Sequence, residues 1–395
     1  MKPSINRNIS LLLVSSFLYF GSSNMLLPTF PLYVSELGGS EKVVGILGGL
    51  YALTAVFIRP YLSKLADKKG RKYVLLISMF AATTGPLLYL VNLDFIFLAF
   101  ARIYHAISLA GFITASQTMI ADLSRPEERG TMIGIYGIAS GVAMAIAPAL
   151  GFLVVENMGF SVLFIIAAIA ALGAIPCIFM LNEPEFTKLG EGVGTTSVPL
   201  VKVVKNRWVL IPSIALFVTT MVQGATNTFL PLHGVSVGIV NVGIFFVVYS
   251  TTSLVARVLA GFLSDKLGRK NLALPALVLV GAGTLCLTRL PSMFMLVLGG
   301  GIIGFGFSTT HTALLALIID KTSIRERSQA ISFYANAFDV GVSIGSMALG
   351  PIAGYSYTLL WILLSSFVFI GFFVTAKVLP AEDIVILTGT KKENA

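Results

Sequence analysis

Two stretches, RPYLSKLADKKGRK (59–72) and RVLAGFLSDKLGRK (257–270), decide how this chain folds. They align at an offset of 198, which sets Arg59 on Arg257, Asp67 on Asp265, Gly70 on Gly268 and Arg71 on Arg269. The offset persists outside them: Asp122 falls on Asp320, Glu128 on Glu326, Arg129 on Arg327, Gly45 on Gly243 and Tyr51 on Tyr249. Upstream it becomes 203, where GSSNMLLP (21–28) matches GATNTFLP (224–231) and Asn24 falls on Asn227. That change predicts a first outer loop five residues shorter in the second half. Separate motifs that agree on one offset signal a duplicated unit.

Each of the two stretches lies between long apolar runs. Of the 395 residues, 56% are hydrophobic and 11% charged, against about 25% charged in a soluble domain. Mean hydropathy is +0.90. Such a chain cannot coat a water-facing globule, and lipid must be part of its solvent. The net charge of +9 raises nucleic acid as a partner, but the basic residues sit in short gaps between apolar runs and make no continuous stripe. Cys177 and Cys286 lie inside apolar runs and imply neither a disulfide framework nor a metal site. Lys2 and Arg7 precede an apolar run too long for a signal peptide, which therefore reads as a retained first membrane helix.

A bilayer core of about 30 Å takes roughly 20 apolar residues per helix. Twelve stretches qualify: Ile9–Leu32, Val43–Leu62, Tyr73–Val91, Phe95–Ile120, Thr131–Val155, Phe160–Leu181, Val209–Leu232, Gly238–Gly261, Leu272–Leu290, Met293–Ile319, Ala330–Tyr355 and Leu359–Leu379. None alternates as a barrel strand would, so the fold class is an all-α membrane protein. The polar segment 182–208 reads as a linker between six-helix bundles at 1–181 and 209–395, with an amphipathic piece around Leu200–Lys205. With both termini in the cytoplasm, the cytoplasmic segments hold 22 of the 27 basic residues, as the positive-inside rule requires. Arg59, Arg102 and Arg257 fall within helices.

SKLADKKGRK (63–72) and GFLSDKLGRK (261–270) resemble the signature of the major facilitator superfamily between its second and third helices, Gly-x-Leu-x-Asp-[Arg/Lys]-x-Gly-[Arg/Lys]-[Arg/Lys]. The second copy fits fully; the first has Ser63 for the leading glycine. The resemblance implies two bundles of six helices that rock about a central site. It also implies a cytoplasmic gate in which Asp67, Gly70, Arg71, Asp265, Gly268 and Arg269 act with Asp122, Arg129, Asp320 and Arg327. The alternative is a pair of exposed loops that only enforce topology, worth about 0–1 kcal/mol per ion pair.

LAFARIYHAISLAG (98–111) is similar to the family's fourth-helix motif, whose Arg is tied to proton coupling; Arg102 is in place and His105 stands where the family has Gln. GVAMAIAPALGF (141–152) is a partial match to the fifth-helix motif of antiporters, and LGPIAG (349–354) is a similar element. A proline kink with small residues for close packing reads them equally well.

The twelve stretches contain one acid, Asp339. It lies nine residues after Ala330, about 13 Å into the helix. A charge at such depth costs about 2.5–3.5 kcal/mol or more on insertion scales, and a carboxyl poised between charged and neutral is what proton coupling requires. Asn336, Asp339 and Ser343 share one helix face. Arg102 and His105, i and i+3, belong to the other half. An Asp339–Arg102 pair across the central cavity is therefore expected, the alternative being a permanent hydrogen bond that locks the eleventh helix. His105 either titrates or bonds neutrally between helices. His311 reads as packing or lining an exit path, and His233 as surface in an outer loop; scattered histidines beside one acid argue against a metal site.

The resemblance implies a cavity lined by the first, fourth, seventh and tenth helices. Tyr19, Asn24, Gln223 and Asn227, with Tyr249 and Asn336 from neighbouring helices, are candidate substrate contacts. Uncharged polar groups amid Phe and Met suit a small amphipathic organic solute; each could equally be glue between helices. The leading expectation is a monomeric, proton-driven exporter of drugs or metabolites in the cytoplasmic membrane, using the proton gradient and no cofactor. The rival is a proton-coupled importer or uniporter of a nutrient such as a sugar. No nucleophile–base pair, Walker loop, HExxH or haem-ligand pattern marks an enzyme.

Overall fold

An amide in lipid finds no water to bond to, so each apolar run satisfies its own backbone as a helix. The computed structural model follows this rule: among the described residues there are helices and turns and no strand. It describes residues 6–91, 93–125, 128–183, 200–239 and 241–380, without the side chains of 200–202, 324, 325 and 328. Most of the expected linker, 184–199, and the tail 381–395 lie outside these, while Leu200–Lys205 is helical.

Among the described residues, ten helices are long and apolar enough to cross a membrane. One of them, Arg129–Phe179, has 51 residues, about 75 Å if straight, far more than a bilayer holds. It breaks at Gly159, whose φ of 82° leaves the helical region. Splitting it there and adding the 18-residue Arg71–Leu88 gives twelve crossings. They are α1 (Arg7–Glu36, with turns at 27–29), α2 (Glu41–Lys69), α3 (Arg71–Leu88), α4 (Phe95–Leu123), α5 (129–158), α6 (160–179), α7 (Arg207–Ser236), α8 (Gly243–Leu267), α9 (Arg269–Cys286), α10 (Met293–Lys321), α11 (Ile324–Met347, continued by Gly350–Tyr355) and α12 (Tyr357–Val378).

Helix ends depart from the expected spans by up to seven residues. The first loop is 37–40 in one half and 237–242 in the other, two residues longer instead of five shorter, so the helix ends flanking it are together seven residues shorter in the second half. α7 runs on to Ser236, which puts His233 inside a helix and 5% exposed instead of in a surface loop. Its ring stacks on Tyr357 at 4.8 Å, and Trp361 donates an indole N–H to its Nδ1 at 3.0 Å.

The halves meet unevenly. At the end away from the basic loops, one apolar core takes in Leu26, Phe30, Val44 and Leu47 of the first half with Val222, Ala225, Phe229 and Leu230 of the second. Toward the basic end, Leu12, Leu62, Leu75, Met119 and Tyr136 form a core that belongs to the first half alone. Glycines let α2 lie directly on α11: an added Cβ would stand 2.6 Å from Ser346 O at Gly45 and 2.6 Å from Ser343 O at Gly49. Farther out, Tyr357 donates its hydroxyl to Glu41 at 3.4 Å. α5 and α8 touch along the same end, where Phe152 stacks on Phe246 at 5.9 Å and Ser250 donates to Met144 O at 3.3 Å. On their basic halves, Gly130, Gly134 and Gly137 of α5 and Gly261 of α8 face open space. The bundles therefore close on each other at the far end and part toward the basic loops.

Candidate functional site

The two basic turns are built alike. Gly70 and Gly268 hold φ of 98° and 87°, a left-handed geometry that a side chain would strain. Each ends one helix and starts the next without a spacer. Arg71 pairs with Asp67 at 3.2 Å and Asp122 at 3.4 Å; Arg269 pairs with Asp265 at 2.6 Å and Asp320 at 3.0 Å. Arg129 donates to Ala121 O and Arg327 to Ile319 O, both at 3.1 Å. Each of these contacts stays within its own half. Asp67 and Asp265 expose 65% and 67% of their side chains, as expected where the halves stand apart. Glu183, which sequence reading left unassigned, accepts the Arg71 amide at 2.5 Å and so places a carboxylate on the N-terminus of α3.

Asp339 does not pair with Arg102. It forms an ion pair and hydrogen bond with Arg59 of α2, across the boundary between halves. Both side chains are largely buried, at 10% exposure for Asp339 and 21% for Arg59. Ser343 donates to the Asp339 carbonyl at 2.7 Å, which steadies the same turn of α11. Depth alone suggested Arg102, because depth carries no information on which way a helix face turns. Arg59 stood out in the sequence only as an arginine that recurs, as Arg257, at the 198-residue offset.

Arg102 is instead enclosed within the first bundle at 2% exposure. Its Nε donates to Leu47 O at 3.1 Å and a terminal nitrogen to Gly48 O at 3.4 Å; another lies 3.5 Å from the Tyr89 hydroxyl. The guanidinium stands over the rings of Phe30 and Tyr51, at 4.2 and 4.5 Å. Helix carbonyls and aromatic faces thus replace a carboxylate as its partners. Tyr89 continues the network to His105 Nδ1 at 2.9 Å, and His105 is 1% exposed beside Gly85. This group ties α4 to α2 and α3.

Among the described residues, a small pocket sits where the four helices α1, α5, α7 and α8 converge from both halves. Asn24, Met144, Gln223, Asn227, Phe246 and Tyr249 are among its lining residues. The pseudo-symmetric pair Asn24 and Asn227 therefore share one space, as do Gln223 and Tyr249, whose Oε1 and hydroxyl have no protein partner. Its volume is about 70 Å³, well under the roughly 300–1,000 Å³ of a drug-sized site. It is the vault of the space between the halves, just inside the closed far end. Two residues expected in the cavity do not line this pocket. Tyr19 is fully buried in the first bundle, stacked on Phe112 at 4.0 Å, and Asn336 is exposed on α11, one turn from Asp339.

A polytopic protein with duplicated six-helix halves, a polar vault between them and one end closed has the architecture of a secondary transporter. The profile of the Major Facilitator Superfamily matches residues 12–240 and 235–394, and the chain belongs to that family. Among its relatives, the "Staphylopine export protein" of Staphylococcus aureus is 27% identical over 85% of this chain and 87% of its own length. The "Multi-drug resistance efflux pump PmrA homolog" of Lactococcus lactis is 24% identical, covering 88% and 89%. A crystal structure of a mutant of the nucleoside transporter NupG superposes with a TM-score of 0.81 over 94% of this chain and 99% of its own, at 16% identity, which is a likeness of fold.

Proposed function

We propose that this transporter exports small amphipathic organic molecules and is driven by protons through Asp339. The observation that carries the reading is the Asp339–Arg59 pair. The one acid within the twelve sequence spans is spent on a cation of the opposite half, at the lower edge of the closed contact. A proton on Asp339 removes the charge that holds Arg59, so protonation and separation of α2 from α11 are linked. Cargo entering from the basic end reaches the vault at Asn24, Gln223, Asn227 and Tyr249. Release of the far-end contact, with the basic turns closing, then exposes it on the other side. The basic loops belong in the cytoplasm by the positive-inside rule, which puts both termini there and the closed end outside. The named exporters among the relatives support outward transport.

Everted membrane vesicles with an imposed pH gradient test this. A panel of amphipathic amines, neutral compounds and carboxylates is added, and proton release from the lumen is followed with a pH-sensitive dye. At least one chemical class should dissipate the gradient, and Asp339→Asn should abolish the effect. Dissipation that survives Asp339→Asn removes Asp339 from coupling, and a gradient untouched by every class rejects proton-driven export.

A further inference from the structure

The duplication supplies two latches, and only one has its acid. At the 198-residue offset, Arg59 corresponds to Arg257 on α8, and Asp339 on α11 corresponds to Gly141 on α5. The correspondence is sound there, since Tyr136 and Tyr334, Arg129 and Arg327, and Val142 and Val340 bracket it at the same offset. Gly141 sits in the α5–α8 contact, where an added Cβ would meet Leu254 at 3.3 Å. Arg257, three residues on from Leu254, is exposed and has no ion-pair or hydrogen-bond partner among the described residues. It lies one helical turn on from Leu254, on the face of α8 that meets Gly141. It therefore faces the space between the halves and not lipid, where a charge is costly. Nearby, Tyr249, Phe307, His311 and Phe338 form a continuous aromatic wall, with neighbouring ring centres 6.2–6.3 Å apart.

Apart from Arg289 and Lys377 at the ends of their spans, the charges within the sequence spans are Arg59, Arg102, Arg257 and Asp339. Arg59 neutralises Asp339, and Arg102 is wrapped in carbonyls and rings inside the first bundle. That leaves Arg257 as the cation open to the cavity. A cationic cargo would find no free acid within these spans, whereas an anion finds a guanidinium, an aromatic wall and the unpartnered Tyr249 hydroxyl.

We propose that the cargo bears a carboxylate on an apolar body, and that Arg257 binds this carboxylate in the place that Asp339 holds in the other latch. The assignment rests on the export reading and narrows it to organic anions. Cargo completes the α5–α8 latch just as Asp339 completes the α2–α11 latch.

Thermal stabilisation of the purified full-length protein by 3-phenylpropionate, 3-phenylpropionamide and 3-phenylpropylamine tests the assignment. The carboxylate should half-saturate at a concentration about tenfold below its amide, and the amine should stabilise least. Arg257→Gln should erase the preference. Gly141→Asp, which returns the missing acid, should erase it as well, while the isosteric Gly141→Asn keeps it within about threefold. The Gly141 pair makes the test independent of any misfolding of Arg257→Gln. Equal stabilisation by the three compounds, or a carboxylate preference that survives both Arg257→Gln and Gly141→Asp, overturns the proposal. Failure here is distinct from failure of the export reading. Proton release driven by amines or neutral compounds and lost in Asp339→Asn would keep the exporter and reject the anion. A carboxylate preference without proton release in everted vesicles would do the reverse.

Discussion

Arg59 of α2 and Asp339 of α11 stand 280 residues apart in sequence and form one ion pair that fastens the two halves together. The pair is asymmetric in its surroundings, because Asp339 is the more deeply buried partner.

That asymmetry sets the cost of breaking it. Arg59→Gln strands a carboxylate with little access to water. Removing one partner of a fully buried pair costs about 3–5 kcal/mol; with Arg59 at 21% exposure the expected loss is lower, about 2–3 kcal/mol. Asp339→Asn frees an arginine that can turn into the open cavity, and should cost about 1 kcal/mol or less. The double variant should be more stable than Arg59→Gln alone. Melting temperatures in detergent check the order; losses that simply add in the double variant would show that neither charge depends on the other.

The paired arginines of the basic turns should behave differently. Asp122, Asp265 and Asp320 expose 43%, 67% and 48% of their side chains. In this conformation Asp122→Asn or Asp320→Asn should change stability by under about 1 kcal/mol, and the change should shrink with salt. The measurement is thermal unfolding at low and high ionic strength. A large, salt-insensitive loss would mean that these carboxylates hold the bundle together.

Arg102 makes a contrast within the same bundle. Its planar fork reaches two helix carbonyls and lies flat against two rings, which a lysine ammonium cannot copy. Arg102→Lys should therefore lose most of what Arg102→Ala loses, about 2–4 kcal/mol with unsatisfied carbonyls included. If Lys restores full stability, charge alone matters at this position.

The fold was legible because its signals are coarse. Apolar runs of bilayer length, a repeated Asp-x-x-Gly-Arg turn and a lopsided distribution of basic residues each survive errors of several residues. The site was legible only in part. Asn24, Gln223, Asn227 and Tyr249 were found as polar residues on helix faces, and they converge on one vault. Tyr19 carried the same signal yet faces Phe112 inside the bundle, since helical spacing shows which residues share a face but not what that face meets. Arg59 was passed over for the same reason: an arginine side chain spans more than a helical turn, so its partner depends on how α2 and α11 cross. His233 was misplaced because hydropathy ended α7 at Leu232, while the helix continues to Ser236 under Trp361 and Tyr357.

The far-end closure depends on α2 presenting almost no side chain to α11, and Gly49 is where this is tightest. An added Cβ there would overlap Met347 Cγ and come within 2.6 Å of Ser343 O. Met347 can swing aside, but the backbone carbonyl cannot, because it is fixed by α11. Gly49→Val should therefore push α2 off α11 on the side where the halves now touch, leaving the basic end unaffected. Such a wedge biases the equilibrium toward the state open at the far end. With Cys177 and Cys286 replaced, a cysteine introduced at Asn24 in the vault reports the change to a membrane-impermeant thiol reagent. Labelling from the far side should rise at least about tenfold in Gly49→Val, the ratio expected if closure loses about 1.4 kcal/mol. Gly21, with nothing within 4 Å of an added Cβ, is the control, and Gly21→Ala should leave the rate unchanged. An unchanged rate in Gly49→Val would mean that the α2–α11 contact does not govern access to the vault.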